Sequence, residues 1–258
     1  MRGARPKRVA AAAGVATGNY PQIFERIEER NELRQRLSQR KSFLFHGPAG
    51  VGKTLLLSAV LPEFPDILYS AGNATPQALY RNLAESLVTL RHSVLAKSGA
   101  DLHTKSAVAL KGLLRDALSN SRYLIVLDHL MRPSQSLATA LRELMVNWSI
   151  PVIAVTRSAH MEDAGFILPL FADRADKLAL RNFDTDTAHA FATSIARKEG
   201  LTADNLPRFI GKVVEYSEGN PGAILRMIRM ARRTKYLHQD QIKIAPLYID
   251  YKIATVSE

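Results

Sequence analysis

The chain has 258 residues, 47% of them hydrophobic and 23% charged, an ordinary globular composition with room for one large domain or a core with a small satellite. It contains no cysteine, which excludes disulfides and thiolate metal sites and fits a reducing, cytoplasmic compartment. The net charge of +11 is unusual for a plain metabolic enzyme and favours polyanionic partners, while the lack of any apolar run of membrane-span length argues against a membrane partner.

Residues 1–19, rich in Ala, Gly and Arg and without a hydrophobic period, read as a disordered basic tail. Arg2, Arg5, Lys7 and Arg8 there are either phosphate contacts or simply a solvated terminus. Over residues 20–41, Ile23, Ile27, Leu33 and Leu37 suggest an amphipathic helix. Glu25, Glu28, Glu29 and Glu32 precede Arg30, Arg34 and Arg36, which gives the helix i,i+4 support. Ile23 or Phe24 could cover an adenine ring, or both could be core.

The stretch Phe43–Leu61 reads as a buried strand, a tight glycine loop and a helix. Its loop, Gly47-Pro48-Ala49-Gly50-Val51-Gly52-Lys53-Thr54, fits the phosphate-loop pattern G-x-x-x-x-G-K-[ST]. Inward-pointing backbone N–H groups cradle phosphate oxygens, and the following helix offers its positive end to the same anion. Lys53 reaches the β and γ phosphates of ATP, and Thr54 offers its hydroxyl to Mg²⁺.

Pro62 and Pro65 break the chain before a second strand at Asp66–Ser70. A leucine stripe (Leu79, Leu83, Leu87, Leu90, Val94) then predicts a helix over 76–97 closed by Ser98-Gly99, and another runs over 104–119 with Val108, Leu110, Leu113, Leu114 and Leu118. Tyr123–Asp128 is a continuous apolar run ending in a carboxylate, suited to a strand buried on both faces with Asp128 placed to hold Mg²⁺ through its water shell. Ser134–Trp148 is a further amphipathic helix, and 150–157 a strand whose polar tip, Thr156 and Arg157, belongs at the sheet edge where ligands gather. Thr156 could orient water and Arg157 could sense phosphate charge, or Arg157 could be a surface ion pair. Residues 158–176 read as a loop, and 177–180 as the fifth strand.

The last third is helical, with segments at 185–199, 204–217 and 221–235. Gly219 and Asn220 suit a helix C-cap and Pro221 the next first turn. Arg226, Arg229 and Arg233 share one helical face, and the tail 242–256 suggests a strand or short hairpin. The seven histidines show no metal-ligand spacing, so no metal beyond Mg²⁺ is expected. The organisation is an ATPase core over 20–183, a helical lid over 184–238 and an extension over 239–258.

Four segments, GPAGVGKT at 47–54, LIVLD at 124–128, VIAVTR at 152–157 and GNPGAILR at 219–226, together resemble the AAA+ and STAND branch of P-loop ATPases, with origin-recognition and transposition-helper ATPases among the nearer relatives. The resemblance covers residues 20–235 and implies an α/β P-loop NTPase fold with a parallel five-stranded sheet in order 5-1-4-3-2 and a C-terminal helical lid. It implies a first-sensor role for Thr156, contact of Pro221 with the nucleotide base, a second-sensor role for Arg226 and a polar switch role for Asn73. Arg174 would be the trans-acting arginine finger of an oligomer, although no motif fixes that position. Many ATPases of this class carry a glutamate after the strand-ending aspartate; here His129 stands there, which points to slow hydrolysis.

The first functional expectation is an ATPase that switches with nucleotide and acts on nucleic acid, from the ATPase set together with the charge. The second is a signalling or scaffold ATPase with protein partners and slow or no turnover. A small-molecule kinase is the weakest, because the long helical third and the Thr-Arg strand tip argue against it.

Overall fold

The structure, a computed structural model, describes residues 26–89, 102–118 and 121–256. The basic tail, Ile23 and Phe24, and the expected helix end from Leu90 to Gly99 lie outside the described residues. The chain forms two compact units: one takes the residues up to Gly47 with Lys53–Ala179, the other Pro48–Gly52 with Leu180 onward.

The first unit is built on five parallel strands: β1 Phe43–His46, β2 Ile67–Ala71, β3 Leu124–Asp128, β4 Val152–Thr156 and β5 Lys177–Ala179. Their order, β2-β3-β4-β1-β5, is the expected one. Every residue of β3 and β4 is buried, as unbroken apolar runs in a sheet covered on both faces should be. Around the sheet run α1 Ile27–Ser38, α2 Lys53–Val60, α3 Pro76–Thr89, α4 Ala107–Leu118, α5 Gln135–Arg142 and the short α6 Met161–Ala164. The stripes Leu79–Leu83–Leu87 and Leu110–Leu114–Leu118 are buried as the 3.6-residue period requires.

Several expectations about local structure are corrected. Ile27 is 64% exposed, so α1 meets the core through Leu33 and Leu37 alone, and Val108 at 80% exposure faces solvent rather than the stripe. The helix expected over 134–148 is α5, capped by Ser134 Oγ accepting from Leu137 N, and then a π-helical turn over Glu143–Asn147. The segment expected as loop over 158–176 is largely α6 and two 3₁₀ stretches, Gly165–Phe171 and Arg174–Asp176. Ile167 and Phe171 anchor it in the core, in turns too short and too interrupted, with Pro169 inside one of them, to read as a helix.

The second unit packs α7 Thr185–Lys198, α8 Leu206–Ser217 and α9 Pro221–Ala231, then a two-stranded hairpin (β6 Leu237–His238, β7 Gln241–Ile242) and α10 Ile244–Val256. The tail is therefore mainly helix, not strand; the β-branched and tyrosine residues that suggested strand serve a helix face, with Leu247 and Tyr251 buried. Asp184 caps α7 by accepting from Thr187 N at 2.8 Å. At the end of α8 the left-handed turn falls on Glu218 and Gly219 (φ +50° and +72°). A Cβ on Gly219 would lie 2.1 Å from Phe183 O, so only glycine fits. Asn220 then sits in extended conformation as the N-cap of α9, not as a C-cap of α8, with Pro221 at the first helical position.

Candidate functional site

In the first unit, β1 runs to Gly47 and α2 starts at Lys53, so the strand and helix bracket the glycine loop as its spacing demands. Lys53 Nζ donates to Gly47 O at 2.5 Å, bending the side chain back over the loop. Its pKa is lowered to about 8, by burial first, with Asp128 and Asp163 opposing the shift and Arg157 adding to it. A cation held with so little hydration is primed for an anion.

Asp128 is 1% exposed, and both its carboxylate oxygens are engaged. Oδ1 accepts the backbone N–H of His129 at 2.8 Å. Oδ2 accepts the Thr54 hydroxyl at 2.8 Å and the Tyr69 hydroxyl at 2.9 Å. The expected metal pair, Thr54 and Asp128, is thus in direct contact before any ion binds. Mg²⁺ fits this donor set, since it takes few protein ligands and a hydroxyl and a carboxylate already converge here. Thr54 and Asp128 would hold the ion, which would supply charge neutralisation to the phosphate oxygens of a bound nucleotide.

Tyr69 is the residue that sequence reading missed. β2 pairs with β3 so that Ala71 lies opposite Asp128, and Tyr69, two residues earlier, shares the face of Ala71. That parity was the available signal. Burial first, then the Asp128 charge, push the Tyr69 hydroxyl pKa up, which keeps it a donor.

His129 adopts φ +56° and is mostly exposed. Its Nε2 stands 3.5 Å from Thr54 Oγ1 and 3.7 Å from Asp128 Oδ2. It therefore faces the same pair from the solvent side. Thr156 is 1% exposed and donates its hydroxyl to Ser158 O at 2.7 Å, so toward a ligand or water it can only accept. Arg157 is exposed and close enough to Lys53 to perturb it. His46, at the end of β1 opposite Thr156, is held below its usual pKa by burial first and then by His160, Lys177 and Lys53. Asn73, 3% exposed, accepts from Ser70 Oγ at 2.8 Å and Asn82 Nδ2 at 3.1 Å, while its own Nδ2 has no partner among the described residues. Arg174 is exposed on its 3₁₀ turn.

In the second unit, the loop tip Pro48–Gly52 packs on the start of α9. Val51 N donates to Pro48 O at 3.3 Å within the loop. Gly50 and Gly52 have φ of +78° and +103°, which side chains rarely adopt. Gly222 N donates to Gly50 O at 3.0 Å. Asn220 Oδ1 accepts from Ala223 N at 3.1 Å while its Nδ2 donates to Ala49 O at 2.9 Å and Asn182 Oδ1 at 3.1 Å. A Cβ on Gly222 would fall 2.8 Å from Gly50 Cα. Pro221 thus stands between two residues that hold the loop. Arg226, one turn further on, is half-buried with its guanidinium 6.0 Å from the Tyr251 ring centroid.

No protein-family model matches the chain, and no curated protein sequence does. Among solved structures, a Walker-type ATPase of Pyrococcus abyssi superposes with a TM-score of 0.60 at 20% identity, over 83% of this chain and 69% of that one. The ORC2 protein of Aeropyrum pernix, in its ADP form, gives 0.59 at 14% identity, over 90% and 70%. A RuvB variant of Thermotoga maritima gives 0.51 at 13% identity, over 88% and 66%. At these identities the likeness is one of fold. No described helix is long and apolar enough to cross a membrane.

Proposed function

We propose that this chain, which has the fold of AAA+-like P-loop ATPases, binds and hydrolyses ATP with Mg²⁺ and uses the nucleotide as a switch acting on nucleic acid. The observation that carries the nucleotide part is the contact of Thr54 with Asp128 at 2.8 Å beside a half-buried, partly desolvated Lys53. That trio is the hydroxyl, carboxylate and cation that phosphoryl transfer needs, at the end of a glycine loop of the kind that cradles phosphate oxygens. The residues that bind ATP are Gly47, Pro48, Ala49, Gly50, Val51, Gly52, Lys53 and Thr54, with Pro221 toward the base and Arg226 as the lid's phosphate sensor. Lys53, Asp128, Thr156 and Arg157 serve the reaction. The unpartnered Nδ2 of Asn73 supports its reading as a polar switch, because a buried donor without an acceptor is ready to gain one. The net charge of +11 supports a polyanionic partner.

A second reading, a nucleotide-gated scaffold with protein partners, rests on His129. It stands where a carboxylate base would activate water, and the Thr156 proton is already committed to Ser158 O. Both features favour slow turnover.

The test is the steady-state ATPase rate with and without DNA, at low and moderate salt, beside Lys53→Ala and Asp128→Asn. A rate that rises with DNA, disappears in Lys53→Ala and falls in Asp128→Asn with nucleotide binding better preserved supports the first reading. ATP binding without turnover in either condition supports the scaffold. ATP affinity unchanged in Lys53→Ala would defeat the phosphate-loop assignment.

A further inference from the structure

Five cations and no carboxylate lie between Pro221 and Tyr236: Arg226, Arg229, Arg232, Arg233 and Lys235. Four of them line one groove of about 620 Å³ within the helical unit, between α9 and α10. The lining residues Gly222, Arg226 and Arg229 recur every three or four positions and form a stripe along α9, and Arg233 follows two residues beyond its end. We propose that this groove grips the phosphodiester backbone of a nucleic acid, a proposal that rests on the nucleic-acid reading above and gives it a surface.

Charge bookkeeping within the groove favours an anion. Asp250 is the only carboxylate among its lining residues, and it is already matched by Lys235 Nζ and the Tyr236 hydroxyl, each at 2.7 Å. Glu199, outside the lining, is clasped by Arg229 Nε at 3.0 Å and Arg232 Nη1 at 2.6 Å. Two arginines thus share one acid, and Arg233, exposed, has no acidic partner among the described residues. Arg233 therefore carries into the groove a positive charge that no acid among the described residues offsets.

Geometry favours a strand of phosphates over a single one. At about 1.5 Å rise per residue, Arg226 and Arg229 stand roughly 4.5 Å apart along α9, and Arg233, past the helix end in extended backbone, carries the row further. The cations form a row rather than converging on a point, and guanidinium forks suit phosphate oxygens bidentately. Leu225, Met230, Ile253 and Ala254 supply an apolar wall, with Ile253 63% exposed, against which sugar and base faces can lie.

The test uses fluorescein-labelled mixed-sequence 30-mers, single-stranded and duplex, titrated by anisotropy with Mg²⁺ and ATP from 50 to 300 mM NaCl. The variants are Arg229→Gln with Arg233→Gln, Arg233→Gln alone, and Asp250→Asn; Arg226 is left intact. Removing one cation that neutralises a phosphate makes the slope of log K against log salt shallower by about 0.7 for single strands and 0.9 for duplex. The double variant should therefore lose about 1.4–1.8 from the slope, and bind roughly 25–60-fold more weakly at 0.1 M salt. The single variant should lose about 5–8-fold. Asp250→Asn, which frees Lys235, should bind more tightly with a steeper slope. Affinity for a fluorescent ATP analogue and the thermal midpoint should be unchanged in Arg233→Gln, which separates weaker phosphate binding from a damaged fold. If wild type binds the oligonucleotides and the variants match it in affinity and slope, the groove is not the site, while the nucleic-acid reading stands. If wild type binds neither oligonucleotide at 50 mM salt, both fail. Binding of a polyglutamate peptide in place of the oligonucleotides, abolished in the double variant, would make the groove a site for acidic protein and overturn the assignment.

Discussion

Asn220 makes three hydrogen bonds with one half-buried amide, and its loss should register both in stability and at the phosphate loop. Its Oδ1 caps α9 by accepting from Ala223 N, and its Nδ2 is shared between Ala49 O and Asn182 Oδ1. Replacing an N-cap asparagine with alanine costs about 1 kcal/mol. Each of the other two bonds contributes about 0.5–1.5 kcal/mol net, and water recovers part of that at a half-exposed site. Asn220→Ala should thus destabilise the chain by roughly 2–3 kcal/mol. Asn220→Asp keeps the cap and adds a charge that the helix N-terminus favours, but it has no donor for Ala49 O and turns a lone pair toward it. It should cost less globally, about 1–2 kcal/mol, yet loosen the loop as much. Urea unfolding gives the first quantity. Hydrogen exchange over residues 48–52 and 221–225 gives the second, with faster exchange expected in both segments for Asn220→Ala and mainly in the loop for Asn220→Asp. A cost below about 0.5 kcal/mol in Asn220→Ala, or loop protection equal to wild type in Asn220→Asp, would refute the reasoning.

Gly222→Ala drives a Cβ to 2.8 Å from Gly50 Cα, and overpacking of this kind costs about 1–3 kcal/mol; ATP affinity should fall along with the urea midpoint, and a variant that keeps both would show that the loop yields without consequence. Tyr69→Phe removes one donor from Asp128 Oδ2 and leaves the Thr54 bond, so the Mg²⁺ concentration needed for half-maximal ATPase rate should shift while ATP binding without metal stays put; an unchanged Mg²⁺ requirement would reduce Tyr69 to packing. His46 is buried toward its neutral form, so the unfolded chain binds its proton more readily than the folded one as pH falls below about 6.5. Stability should therefore drop between pH 7.5 and 5 by more in wild type than in His46→Asn, as measured by urea unfolding at the two pH values, and parallel losses would remove His46 as the cause.

The sheet was legible because β3 and β4 are unbroken apolar runs, and the glycine spacing marks the loop between β1 and α2. What escaped notice has physical reasons. Residues 158–176 fold into helical turns only three to seven residues long, with Pro169 inside one of them, too short for a period to establish itself. By sequence Asn220 suits a C-cap with Gly219, but the backbone places the left-handed residues at Glu218 and Gly219, which leaves Asn220 extended as the N-cap of α9. Tyr69 reads as a strand aromatic until register puts it beside Asp128, because partnership between strands is set by pairing far apart in the chain.

Five residues of the phosphate loop, Pro48–Gly52, cluster with the helices that follow residue 180, although they are encoded between the first strand and its helix. The modularity suggested by a linear map is therefore incomplete. A chain cut after Ala179 would keep Lys53, Thr54 and Asp128 but deprive the loop tip of Asn220 and Gly222, and the released helical fragment would lack the glycine turn its own N-cap was shaped to hold. Neither half is a self-sufficient cassette, and a fusion or graft that is to carry the nucleotide chemistry must carry both.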